Sequence, residues 1–324
     1  VLASRLDRFQ RRHPWAAVPL AVVYKFVDDQ GYYLAALLAY YGFLSLFPLL
    51  LLLVTSLGFA LQGNVELQQA VLHSALREFP VIGQQIGANV HSLEGSGFGL
   101  VVGIVVAAYG ALGVAGAGQT VLNKVWAVPR VRRPTFVLFY LRSLLLLVTL
   151  GVGVLLTTGL TALTTTASIV GAETSPLVRG GATALAVGVN FALFLVAYRV
   201  LAAVDVALRG LWPGAAFAAV LWQVFLEAGT YLVSHQLRGA SATYGAFGVV
   251  LGLLAWLYVG ATVAVFGAEI NAVRVLRLWP RSLLAPFTGT GPFTSADRRA
   301  YTAYAKTEQQ VEQEEVLVRF PRTE

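Results

Sequence analysis

The chain is a series of long apolar runs separated by short polar stretches. Six runs stand out, at about 34–61, 98–122, 136–165, 178–203, 212–236 and 244–272. Each is long enough to cross a hydrocarbon core of about 30 Å, which takes about 20 helical residues. The longer runs are expected to tilt or protrude. The runs are continuous and do not alternate polar with apolar residues, so they predict helices and not a barrel. The expected fold is all-α: a polytopic membrane protein with six transmembrane helices over 31–279.

The remaining segments have different patterns. Residues 1–30 carry Leu2, Leu6 and Phe9 at helical spacing among Arg5, Arg8, Arg11 and Arg12. This predicts an amphipathic helix lying on anionic lipid, with Trp15 and Tyr24 at the same depth. No h-region or cleavage site is read there. Between the first two spans, Val65, Leu72, Leu76 and Phe79, then Ile82, Ile86 and Val90, predict two short amphipathic helices on the outer surface. From 280 to 324 the chain turns polar. Pro286, Gly289, Gly291 and Pro292 form a linker, and a tail follows that is disordered or briefly helical around 300–317.

Charge sets the orientation. Of the 23 basic side chains, only Arg77, Arg179 and Arg238 fall in loops on the outer side. That bias places both termini of a multi-pass membrane protein in the cytoplasm. Composition agrees: 57% of residues are hydrophobic and 12% charged, against about 25% charged in a soluble domain. The net charge of +7 implies contact with anionic membrane lipids, and no nucleic-acid partner is expected. With no cysteine, disulfides and thiolate metal sites are excluded. No cofactor and no metal site are expected.

Candidate chemistry lies in the spans. An ionisable group in hydrocarbon costs about 3 kcal/mol by insertion scales and marks a functional-site hypothesis. Glu227 and Glu269 are two such groups. Ala216, Ala219, Gln223, Glu227, Tyr231, Ser234 and His235 mark one stripe on the fifth span. Such a stripe is expected to face other helices or water. Glu227 lies roughly 21 Å past Pro213 at 1.5 Å per residue. It reads either as a proton-coupling group or as a hydrogen-bond partner for a neighbouring helix, with Asn190 as the suggested mate. Glu269 sits near the cytoplasmic end of the sixth span, and its expected partner is Arg142 or Arg199. Arg142 is read as snorkelling to the interface, or as a phosphate ligand. Pro48 is expected to kink the first span. Tyr41 and Ser45 then form a polar notch, or only line a structural bend. Small residues from Gly99 to Gly118 permit close helix packing, within one subunit or in a homo-oligomer.

These residues also resemble a known family. Asp28-Asp29, Leu34 to Tyr41 and Leu44-Ser45-Leu46-Phe47-Pro48-Leu49 resemble the start of the YihY/BrkB family of bacterial inner-membrane proteins. So do Leu122 to Trp126, Arg132-Arg133 and Arg142-Ser143 further along. Pro213-Gly214-Ala215, Leu221-Trp222, Tyr244-Gly245, Trp256-Leu257-Tyr258 and Gly267 to Asn271 resemble its C-terminal half. Pro48, Tyr244, Trp256, Glu269 and Asn271 are thereby marked as family-motif positions. The resemblance implies a six-helix inner-membrane protein, linked to serum resistance and to envelope lipid movement. It also carries an older ribonuclease BN label. A metal-dependent nuclease needs clustered His and Asp ligands, and His13, His73, His91 and His235 are scattered. The chain is therefore expected not to be an enzyme. The expected function is a transporter that moves or flips a lipid or amphipathic envelope substrate. It is expected to work with membrane lipids and envelope lipid-transport proteins. A small-solute or ion channel, and an envelope scaffold docking through its tail, are the alternatives.

Overall fold

The computed structural model of the chain describes residues 2–60, 97–169, 176–235, 240–283 and 293–320. The external helices expected over 65–90 and the linker at 286–292 lie outside these residues. Among the described residues the regular structure is helical, with no strand.

Two helices precede the first span where one was expected. They are α1 (Leu2–Arg12) and α2 (Pro14–Asp28). His13 takes an extended backbone between them. Pro14 then starts α2, where the missing amide hydrogen has no helical partner to lose. Six long helices follow: α3 (Gly31–Ala60), α4 (Gly97–Val125), α5 (Phe136–Ile169), α6 (Pro176–Leu201), α7 (Leu208–His235) and α8 (Ala240–Val275). Segments of α5, α6, α7 and α8 are long and apolar enough to cross a membrane: Phe136–Gly153, Gly180–Leu201, Leu208–Gly229 and Val250–Val275. Helices α3 and α4 run 30 and 29 residues. Helix α3 continues through Pro48.

The six long helices close into a ring in chain order. Each packs on the next, and α8 returns onto α3. Helix α4 also reaches α6 and α8. Successive helices run up and down. At one end, the Asn123 amide oxygen near the end of α4 accepts from the Ala203 N–H just after α6 at 3.1 Å. At the same end, Asn271 near the end of α8 accepts from the Gly214 N–H in the first turns of α7 at 2.7 Å. We call this the polar end.

Small residues set the spacing. A methyl group on Gly110 would lie 3.0 Å from the Ser45 Cα, and one on Gly113 2.9 Å from the Tyr41 ring. Helices α3 and α4 therefore approach almost backbone to backbone. Tyr41 and Ser45 serve this packing. Ser45 is buried, and its hydroxyl donates to the Gly42 carbonyl oxygen of its own helix at 2.9 Å. On α7, Gly214, Ala215, Ala218 and Ala219 form the buried face. A methyl on Gly214 would collide with the Gly267 carbonyl of α8, and one on Gly229 with the Trp256 ring.

Helices α4 and α8 end alike. Ala127 and Arg277 have φ of 49° and 52°. The Val128 and Leu278 N–H groups reach back to the Asn123 and Val273 carbonyls at 2.8 and 3.0 Å. This is the Schellman closure, built here without glycine.

The polar tail folds back onto the bundle. Helix α9 spans Ser295–Lys306, earlier than the expected 300–317, because Thr294 and Asp297 form a reciprocal cap. Ala296, Asp297 and Ala300 are buried. Ala300 and Tyr304 pack with Ala21, Val22, Val273 and Leu278. Beyond the helix, Thr307 and Gln309 accept backbone hydrogen bonds from Arg130 and Val131 in the loop after α4. The described tail is thus a docked element, held by an apolar contact and by backbone pairing.

Candidate functional site

Two regions collect the polar side chains. The first is the outer flank of α7. Its small face turns inward, so the opposite side points away from the bundle. Phe217, Val220, Leu221 and Val224 are exposed there. With Ala216 they line a shallow apolar groove of about 390 Å³. Glu227 lies one turn beyond and is also exposed. It accepts a hydrogen bond from the Gln223 amide at 3.2 Å. Glu227 therefore faces outward and pairs along its own helix, not with Asn190 of α6. The cause is steric. Gly214, Ala215, Ala218 and Ala219 form the narrow side that fits α8, and Glu227 falls at the rim of the wider side. Asn190 is half-buried on α6. Tyr231 and His235 continue α7, and Tyr244 lies in α8; their side chains, and that of Pro48, lie outside the described residues. Trp256 stacks on Phe225 with centroids 3.7 Å apart and locks α8 to α7.

The second region is the polar end. Glu269 is fully buried, and its partner is Lys25 of α2, at 3.2 Å. The expected partners are engaged elsewhere. Arg142 donates to the Ala202 carbonyl at 3.3 Å, and Arg199 pairs with Asp205 at 2.6 Å. Both sit in or beside the turn after α6, while α2 lies directly against α8. Lys25 also pairs with Asp29 one turn on. All three side chains are essentially without solvent exposure. Burial works against the Lys25 charge, yet the Glu269 and Asp29 carboxylates overcome it and hold the ammonium above the ordinary lysine range. Burial pushes Asp29 above the usual carboxylate range, against the pull of Lys25.

Beside this trio lies a second buried ion group. Arg281 has no exposed surface and joins three segments. Its Nε donates to Asp297 Oδ1 at 2.6 Å, and its Nη2 donates to Asp28 Oδ2 at 2.9 Å. Its carbonyl oxygen accepts from Gln10 of α1 at 2.6 Å. Asp7 of α1 accepts from the Leu283 N–H at 3.0 Å. Asp297 also caps α9 and accepts from the Ser282 N–H at 3.1 Å. Burial opposes the Arg281 charge, but Asp297 and Asp28 hold its pKa above the ordinary guanidinium value. The same carboxylate thus fixes a helix start and neutralises a buried cation.

Lys25, Arg281 and Asp297 were visible in the sequence only as loop or tail charges. Two signals point to them. Lys25 and Asp29 stand four apart on one face of α2 with buried Ala17, Ala21 and Val22. Thr294 to Asp297 has the spacing of a capping box. Asn271, a motif residue, holds Gly214 and so ties α8 to α7. Among the described residues no group of His, Cys, Asp and Glu is arranged to hold a metal ion.

Comparison with known proteins places this architecture. A 66-residue stretch is 36% identical to a ribonuclease-like protein, YfkH, of Bacillus subtilis (strain 168). That stretch covers 20% of this chain and 24% of the relative, so the match spans about a quarter of the relative's length. No solved structure matches the chain. The profile of the virulence factor BrkB family matches residues 22–283, which takes in the last two turns of α2, the six-helix ring and the Lys25, Asp29, Glu269 and Arg281 positions. The chain is a membrane protein of the virulence factor BrkB family.

Proposed function

We propose that this protein crosses the cytoplasmic membrane six times, with both termini inside, and moves a lipid or amphipathic molecule between the leaflets. Support for the topology comes from the polar end. Helices α1, α2 and α9 and the loops after α4, α6 and α8 gather there, with Arg130, Arg132, Arg133, Arg209, Arg274 and Arg298 among them. Such a basic end belongs on the cytoplasmic side. On α1 and at the start of α2, Phe9 stacks on His13 at 4.4 Å, and Phe9 and Trp15 are exposed. Asp7 and Gln10 turn inward to residues 281–283. An outward aromatic cluster on a basic helix suits the headgroup layer.

The observation that carries the transport reading is Glu227 with Gln223 on the outer, apolar flank of α7. A carboxylate facing lipid tails costs about 3 kcal/mol. That cost falls when a polar group travels along the same flank. A head group sliding past Gln223 and Glu227, with its tails left in the bilayer beside Val220 and Val224, meets this condition. The sequence carries no nucleotide-binding loop, so movement that is not downhill draws on an ion gradient or on an ATPase partner.

The test is transbilayer movement of a fluorescent phospholipid in vesicles holding the purified full chain. Faster movement than in protein-free vesicles is expected. Movement at the protein-free rate, with ion conductance in planar bilayers, would instead favour a channel.

A further inference from the structure

The trio at the junction of α2 and α8 has an unbalanced charge. Two carboxylates, Asp29 and Glu269, face one ammonium, Lys25, and all three are buried. Asp29 Oδ1 and both Glu269 oxygens lack a hydrogen-bond donor with acceptable geometry. A buried carboxylate that keeps unfilled acceptors and a net negative charge is strongly disfavoured. The missing group is small, cationic and a hydrogen-bond donor. A proton on one carboxyl oxygen meets all three requirements.

We infer that Lys25, Asp29 and Glu269 form a proton-binding site, in which Asp29 and Glu269 share one proton beside the Lys25 ammonium. The proton comes from solvent at the polar end. It bonds to one carboxyl oxygen and donates to the other carboxylate, and no other bond changes. The site then holds one positive and one negative charge.

The groups facing it come from each neighbouring element. Helix α2 supplies Asp28 in addition to Lys25 and Asp29, and α4 brings Lys124 towards Asp29. Helix α9 lays the Tyr304 ring over Lys25, with Nζ 5.7 Å from its centre. The Tyr304 hydroxyl is itself buried without a partner. Arg281 stands behind Asp28 and Asp297. Lys124 is the competing source of positive charge, and it stays half-exposed at the end of α4. This site is distinct from the α7 flank and does not depend on lipid movement.

Infrared spectroscopy of the full chain in a detergent without carbonyl groups, such as an alkyl maltoside, reads the proton directly. The Glu227→Gln protein serves as background, so that Glu227 adds no signal. A carbonyl band from a protonated carboxyl group is expected at neutral pH. Asp29→Asn and Glu269→Gln should each remove it, because a lone carboxylate beside Lys25 is already neutralised. Lys25→Met should roughly double it, because both carboxyls then take a proton. A spectrum without the band at neutral pH overturns the inference and leaves Lys124 as the balancing charge. A band unchanged in Asp29→Asn and Glu269→Gln also overturns it. The background spectrum decides the first point even where a variant fails to fold.

Discussion

At the residue scale, Asp297 is the side chain on which most depends. It caps α9, accepts from the Ser282 N–H and pairs with fully buried Arg281. Removing one partner of a buried pair leaves an uncompensated charge, at a cost of about 3–5 kcal/mol. Asp297→Ala should lower stability by that amount in thermal or denaturant unfolding in detergent. Asp297→Asn should lose less, because it keeps part of the cap. Lys25 predicts a pH effect. Its folded pKa lies above the ordinary 10.5, so its contribution is complete below 10.5 and is lost as pH climbs through the folded value. Asp29 is also raised above its ordinary 3.8, so stability falls as pH rises through its folded value. Both shifts have the same sign, so rising pH destabilises, through Asp29 from 3.8 upward and through Lys25 from 10.5 upward. The melting temperature should drop above pH 10.5, and Lys25→Met should flatten that drop. Single residues were the least legible part of the sequence. Glu269 stood out because a carboxylate inside an apolar run is conspicuous. Its partner Lys25 did not, because a lysine in a basic amphipathic segment looks like one more solvated charge. The pairing depends on α2 leaning on α8, a contact between residues more than 240 positions apart.

At the element scale, the helices themselves were readable. The apolar runs at 136–165 and 212–236 became Phe136–Ile169 and Leu208–His235. Apolar continuity marks a helix well. It does not mark which side of the helix is buried. The stripe through Gln223 and Glu227 was expected to face neighbours, but the contacting side of α7 is the small-residue side. In a lipid-facing bundle, fit between backbones outweighs polarity in choosing the inner face. Gly214 tests this. A methyl there meets the Gly267 carbonyl and, at 2.6 Å, the Asn271 Oδ1. The backbone atom cannot rotate away, so overpacking costs about 1–3 kcal/mol. Gly214→Ala should destabilise by that amount. Gly180→Ala on α6, where no atom lies within 4 Å of the added carbon, should leave stability unchanged or raise it by up to about 1 kcal/mol. Equal melting temperatures for the two variants would mean that α7 and α8 do not approach as described.

At the scale of the whole molecule, the polar end is the organising feature. Both terminal segments meet there through Arg281, and the loop after α4 pairs with residues 307–309. The tail looked like a polar appendage because its polar and charged residues together outnumber its apolar ones. Only the capping spacing and the alanines at 296 and 300 hinted at docking. Orientation can be tested cleanly, because the chain has no cysteine. Glu312→Cys should resist a membrane-impermeant thiol reagent in intact cells and react in inverted vesicles. Ser92→Cys, in the segment between α3 and α4, should do the opposite. The reverse pattern would turn the molecule over in the membrane and remove the cytoplasmic assignment of the basic end.

The most direct test of lipid movement along α7 is the rate of phospholipid transfer in vesicles carrying Glu227→Gln, against the unaltered protein at equal density. Gln keeps the size and the hydrogen bonding with Gln223 but removes the charge. A fall in rate of about tenfold, roughly 1.4 kcal/mol in the barrier, is expected. A Glu227→Gln protein that moves lipid as fast as the unaltered chain across pH would contradict the account.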